Sequence, residues 1–442
     1  MRTYAMDALR VFVLKVSQAP LARRFLASLV DGALDTPALS TAVPWPQKPD
    51  YCVNIGFTHD GLAALGVTQA SLDSFPEEFR QGAAARAARV GDTGASAPVN
   101  WKGGLATGDV HVLLFLFTQT AATRTAVTAH LRAAFAIGAF TEISSHDADS
   151  LPGNVAHFGY RDGFAQPTID GGLPPLLPDV LPKAPAGEFL FGHPSQYADF
   201  SYPVPQPAGQ LGHNGSFVAF RILAQDCHGF EQFLVEAAKQ TGLDPEMVAA
   251  KLCGRWRNGV PLALAPERPD GPVPIEQFNS FDYVPTDAMP EAFDDRRGYR
   301  CPIGAHIRRM NPRHSTVAGN SGLKRRIVRR GLPYGPPYDP RHPDDGIERG
   351  LLGLFIGVSL KDQFEFLMSD WANKGAFAPG LKDTRDPILG DHAAPGTFLL
   401  PAEGRKPIEV TGLSRFVTCR GAAYCFLPSA TAVRYLSTVA GA

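Results

Sequence analysis

Short apolar runs of strand length alternate with segments of helical periodicity in this chain. They do so twice, on either side of a proline- and glycine-rich stretch at residues 174–207. In the first half, Leu21, Phe25, Leu26, Leu29 and Val30 recur at helical spacing within residues 21–33. Residues 61–66 read as a short helix with a glycine stop, 110–117 as a buried strand, and 121–135 as a second helix. In the second half, 214–223 read as a strand, 229–241 as a helix, 351–359 as a strand, 361–371 as a helix and 397–400 as a strand. This interleaving predicts an α+β architecture with antiparallel sheets. The length of 442 residues suits two or three domain-sized units or one duplicated fold, and the connection divides the chain into residues 1–205 and 206–442. No repeat is visible between the halves at the level of sequence. No strand is read in the first fifty residues. The apolar run at 11–16 is short, contains Lys15 and precedes no clear small-residue cleavage site, so it does not read as a leader.

Composition narrows the function classes. Lys+Arg total 42 against 43 for Asp+Glu, which argues against a nucleic-acid partner, whose binding would rest on a basic excess. Hydrophobic residues make up 44% of the chain, enough for a substantial core. No apolar run reaches the roughly 18 residues needed to span a bilayer, so no membrane partner is expected. The six cysteines form no C-x-x-C pair and read as free thiols in a reducing compartment, which together with the N-terminus predicts a cytoplasmic location. No G-x-G-x-x-G follows a strand and no P-loop is present, so nucleotide cofactors have no support.

Three segments could carry chemistry. The first, His157-Phe158-Gly159-Tyr160-Arg161-Asp162-Gly163-Phe164, sets a carboxylate between glycines. Such an Asp is ordinarily a turn residue; alternatively, Gly159 and Gly163 let the backbone approach a flat ligand and aim Asp162 at it. The second places His306 ahead of Arg308, Arg309 and Arg313. An imidazole ligand beside guanidinium groups suits haem, whose iron takes an axial nitrogen and whose propionates take cations. A solvated basic turn or a phosphate-binding patch gives the same pattern. The third, residues 325–335, carries Arg325, Arg326, Arg329 and Arg330, and as a bare pattern is a solvated charge run.

Taken together, G-x-x-D-G at 159–163 with the Phe-Ala-Gln-Pro that follows, A-H-I-R-x-x-N-P-R at 305–313 and I-V-R-R-G-L-P-Y-G at 327–335 resemble the dye-decolourising peroxidase family. Residues 54–58, 79–101, 214–217, 254–256 and 362–366 are similar to its longer members, as is Gly331 after the arginines, and the likeness runs from about Tyr51 to near the C-terminus. The resemblance implies two ferredoxin-like domains with antiparallel sheets flanked by helices, of the dimeric α+β barrel type. It implies one non-covalent haem b per chain, with His306 as the proximal iron ligand and Arg313 on a propionate. Asp162 and Arg329 match the distal pair that reacts with hydrogen peroxide, Asp162 as general base and then acid, and Arg329 as a fixed charge at the breaking O–O bond. Dyes and phenolic or other aromatic donors would be oxidised through a high-valent iron-oxo intermediate. The other nitrogen of His306 needs an acceptor, for which Asp386 is the first candidate and Asp391 the second. Tyr334 and Trp371 match surface aromatics that pass electrons in some relatives; packing at the core edge is the other reading. Two alternatives remain, a haem-binding or haem-delivery protein with incidental peroxidase activity and an anion binder without haem. Oligomeric state is not legible in the sequence.

Overall fold

A computed structural model of the chain describes residues 4–32, 37–172, 177–287, 294–343 and 345–439. Residue 33, the expected end of the first helix, and residues 174–176, the start of the proline- and glycine-rich stretch, lie outside these. The first half runs β1 (Ala8–Val16), α1 (Ala19–Asp31), β2 (Tyr51–Phe57), α2 (His59–Ala64), α3 (Gln69–Asp73), α4 (Glu77–Ala85), β3 (Val112–Thr118), α5 (Ala121–Ala136) and β4 (Phe140–Asp149). The second runs β5 (Ser216–Gln225), α6 (Cys227–Thr241), α7 (Pro245–Cys253), α8 (His306–Met310), β6 (Val328–Tyr334), β7 (Gly350–Gly357), β8 (Gly396–Leu400), β9 (Ile408–Leu413), β10 (Val417–Leu427) and α9 (Ala430–Thr438).

Eight strands form one antiparallel sheet in the order β4-β1-β3-β2-β10-β5-β7-β6. Each half contributes four consecutive places, and in each its strands stand in the order fourth, first, third, second if the β8–β9 hairpin is set aside. The repeat that the sequence hides is thus explicit in the topology. Within the sheet the halves join at β2 and β10, where Phe57 pairs with Phe426. The end strands β4 and β6 come close to one another without pairing.

The expected helices and strands form within a residue or two of their expected bounds, with their stops where the chemistry puts them. α1 opens with Pro20 in its first turn and ends at Gly32 in the left-handed conformation. α6 is capped by the Asp226 side chain, which accepts from the Gly229 N–H. β3 and β5 are buried on both faces, which explains their unbroken apolar runs.

Two expectations need correction. The first fifty residues do contain a strand, β1, and it sits between β3 and β4 rather than at an edge. Covered on both faces, it reads as an apolar run without alternation. Its one exposed residue, Lys15, reaches Asp109 at 2.7 Å. The helix expected at 361–371 is wound as wide i→i+5 turns, Leu360–Glu365 and Leu367–Ala372. There the buried Gln363 amide accepts from the Ser359 N–H and donates to the carbonyls of Glu188 and Arg326, which ties these turns to the strand start at β6.

The main core lies along β1, β2, β3, β5, β7 and β10, and a second packs α6 and α7 on the β8–β9 hairpin. All six cysteines are free and buried. Among the described residues no helix is long and apolar enough to cross a membrane.

Candidate active site

A cavity opens between the β5–β7 face, the wide-turn helix and the segment that carries His306. His306 is the first residue of α8, positioned by an extended Ala305, so its ring projects from the start of a short helix into the cavity wall. Its Nδ1 lies 2.9 Å from Oδ2 of Asp386, whose side chain is 0% exposed. A carboxylate only accepts, so Nδ1 carries the hydrogen and Nε2 keeps its lone pair. The other Asp386 oxygen accepts from the backbone N–H groups of Ile388 and Leu389 at 2.9 and 2.8 Å, which fixes the carboxylate in place. Burial pushes this carboxyl up, but the charge and hydrogen bond of His306 and the Leu389 N–H outweigh it, and it sits below the usual carboxylate range. Asp391, the other candidate, instead pairs with Arg415 and accepts from the Thr93 hydroxyl at 2.7 Å.

The arginines that follow His306 do not face the cavity. Arg308 is fully buried, donates to the Cys301 and Asp295 carbonyls at 2.7 and 2.8 Å, and lies 4.2 Å over the Tyr283 ring. Arg309, also fully buried, donates to the carbonyls of Trp371 and Thr384. These two are braces that hold α8 rigid, neither a solvated basic turn nor a cradle for anions. Arg313 likewise is not on the cavity wall. Its guanidinium donates to the Asn279 and Phe281 carbonyls at 3.1 and 2.7 Å and lies 3.6 Å from Asp179. It acts on the cavity only through Asn279 and Asp179, which do line it.

The guanidinium groups at the cavity are Arg221, Arg326, Arg329 and Arg415. Arg221 meets Asp92 at 2.6 Å, both nearly fully buried, and burial raises the Asp92 carboxyl against the pull of Arg221. One Asp92 oxygen and the Arg221 Nε have no partner among the described residues, so the wall holds unsatisfied polar atoms at this end. Between the polar ends the lining is apolar, with Leu223, Ile327, Phe355, Phe364, Leu367 and Leu389. A flat, mostly apolar group with charged edges and a site for one imidazole nitrogen fits this donor set.

Asp162 stands elsewhere. It is exposed and lines a second cavity together with Arg161, Gly163, Arg329 and Arg330. Gln166, Arg329 and Phe355 line both cavities and form their common wall. The Asp162 Oδ1 accepts from the Gly163 N–H at 2.7 Å. Gly159 lines neither cavity; its φ of 85° serves a tight turn, and a Cβ there would meet Arg257 at 3.0 Å.

The segment carrying Asp162 is bolted to β6 at two points that the sequence did not single out. The Gln166 amide accepts from the Arg329 N–H at 3.1 Å and donates to the Arg329 carbonyl at 3.0 Å. The buried His157 Nε2–H donates to the Tyr334 carbonyl at 2.8 Å. For both, the only signal was proximity to the G-x-x-D-G motif. For Asp92, Arg221 and Arg415 there was none, since nothing local marks a charge as buried. Arg329 itself is steadied by donating to the Ala165 carbonyl at 2.9 Å. Tyr334 is half-buried with its hydroxyl 3.2 Å from Glu348, and Trp371 is buried between Phe366 and Phe377.

Residues 40–152 match the model of the DyP dimeric alpha+beta barrel domain. The chain is 30% identical over 427 residues to a dye-decolorizing peroxidase of Mycetinis scorodonius, covering 89% of this chain and 77% of that protein. It is 29% identical to a multifunctional dye peroxidase of an Amycolatopsis species, covering 99% of this chain and 94% of the other. Among solved structures it is similar to a dye-decolorizing peroxidase in complex with 2,6-dimethoxyphenol, with a TM-score of 0.79, 26% identity and coverage of 98% and 96%.

Proposed function

Because the chain belongs to the dye-decolourising peroxidase family, whose members are haem enzymes, we propose that it holds one haem b on His306, in the cavity that this residue lines, and oxidises dyes and phenolic donors with hydrogen peroxide. The observation that carries this reading is the His306–Asp386 pair in the cavity wall, an imidazole with its tautomer set by a buried carboxylate and its second nitrogen left for a metal. Bound haem would supply the redox centre at which peroxide is reduced.

The chain's own residues would do the rest. Asp386 keeps Nδ1 protonated and raises the basicity of Nε2. The edges of the haem would meet the guanidinium groups already on the wall, Arg326 and Arg415 among them, rather than Arg313. Peroxide would arrive through the second cavity, where Asp162 and Arg329 face it. The Asp162 carboxylate takes a peroxide proton at Oδ2, since Oδ1 is engaged by Gly163, and returns it to the departing oxygen. Arg329 offers a fixed positive charge to the oxygen that leaves, and Gln166 keeps the two partners in register. Trp371 serves as packing; Tyr334, half-buried, is the better placed of the two for an electron route.

An absorption titration tests this directly. The purified chain mixed with haem should give a Soret band that His306→Ala abolishes, and should oxidise a phenolic or azo dye only when peroxide is added. Unchanged dye oxidation in the Asp162→Ala, Arg329→Ala double variant would remove the distal assignment.

A further inference from the structure

The second cavity carries a charge pattern that the peroxide chemistry leaves unused. Its wall holds three guanidinium groups, Arg161, Arg329 and Arg330, against two carboxylates, Asp7 and Asp162. Each carboxylate has one oxygen engaged by a neutral donor, that of Asp7 by the Ser150 hydroxyl at 3.1 Å and that of Asp162 by its neighbour's N–H, and the wall keeps an excess of one positive charge. Neither Arg161 nor Arg330 meets a carboxylate among the described residues. Arg161 lies 5.3 Å from the centre of the Phe164 ring, and Arg330 donates to the Arg329 carbonyl at 2.7 Å. Buried guanidinium groups are ordinarily paired. Burial draws the partly buried Arg330 group down to about 10, and the neighbouring Arg329 charge acts in the same direction. The rings of Phe164 and Phe355 line the same space. Unpaired planar cations beside aromatic faces select a flat anion.

We propose that this cavity binds the reducing substrate and selects phenols that carry a carboxylate, with Arg161 and Arg330 holding the carboxylate and the ring against Phe164 and Phe355. The proposal rests on the peroxidase reading and names its donor class. The electrons then balance: one peroxide takes two electrons and two protons as its O–O bond breaks, giving two waters. Two donor molecules supply them, each losing one electron and its hydroxyl proton to leave as a phenoxyl radical. Gln166, Arg329 and Phe355 line both this cavity and the one that His306 lines.

The test compares para-hydroxybenzoate with its methyl ester as donors for the haem-loaded enzyme, in the wild type, Arg161→Gln and Arg330→Gln. The ratio of kcat/KM, acid over ester, should fall about tenfold or more in each variant, carried by KM, since a charged hydrogen bond is lost. High salt should compress the wild-type ratio for the exposed Arg161. Benzoate, which has no hydroxyl to oxidise, should bind the wild type in a calorimeter and bind Arg161→Gln more weakly. An unchanged ratio in both variants, or no benzoate binding to the wild type, overturns the proposal. If neither donor is oxidised, it is the peroxidase reading that fails, and the benzoate titration still decides the cavity.

Discussion

Replacing Asp386 by Asn separates the two jobs of that carboxylate. Its Oδ1 accepts from the Ile388 and Leu389 N–H groups, and its Oδ2 faces His306 Nδ1. In Asp386→Asn the amide oxygen stays on the two backbone donors, because turning the amide would set its NH₂ against two N–H groups. The NH₂ is then forced toward His306. The imidazole answers by moving its hydrogen to Nε2, the nitrogen proposed to bind iron. The fold loses little, since every buried group still has a partner, whereas loss of such a partner to a metal-binding histidine typically weakens metal affinity by about 10–100-fold, or about 1.4–2.8 kcal/mol. Asp386→Ala should behave differently. It strands two buried N–H groups at about 1–3 kcal/mol each, so stability falls along with haem affinity. Haem titration followed at the Soret band, with thermal melts of the haem-free proteins, reads both quantities. If Asp386→Asn bound haem as tightly as the wild type, the tautomer reasoning would be refuted.

Further outcomes follow from the same contacts. Arg329→Ala should slow peroxide consumption about 10²–10³-fold in stopped-flow mixing, with little change in haem affinity, because the guanidinium is a charge donor and not a ligand. Glu365 is fully buried and meets Arg86, Arg89 and the Tyr424 hydroxyl, so Glu365→Ala leaves a partly buried guanidinium without its anion. It should cost about 3 kcal/mol in chemical denaturation, and a cost under about 1 kcal/mol would contradict the assigned pairing. Burial raises the Glu188 carboxyl above the ordinary 4.5. A carboxyl raised on folding favours the folded state while protonated and loses that advantage as pH climbs through its raised value. Wild-type stability relative to Glu188→Gln should therefore decline as pH rises from about 4.5, and a difference independent of pH would exclude a raised Glu188.

Much of this protein was legible in its sequence because much of it is local. The period of apolar residues is a property of a few consecutive positions, so α1, α5, α6, β3, β5 and β7 emerged within a residue or two of their bounds. His306, Asp162 and Arg329 stood out because three short motifs occur in a fixed order. β1 escaped because a strand covered on both faces loses the alternation that announces a strand.

What the sequence could not decide is which polar groups find each other. Arg308, Arg309 and Arg313 follow His306 in the chain and looked like partners for an anion. Only the fold shows that carbonyls have already claimed them, those of Cys301 and Asp295 for Arg308 and those of segments tens of residues away for Arg309 and Arg313. Asp386 was the first candidate on paper and Asp391 the second, with nothing local to settle between them. His306 and Asp386, 80 positions apart in the chain, had to close into contact before one was chosen, and Arg415 took the other. The chain's own order thus determined which chemistry is present. The tertiary structure alone decided which charges stay unpaired and face a cavity, because pairing depends on distance in space and sequence records only distance along the chain.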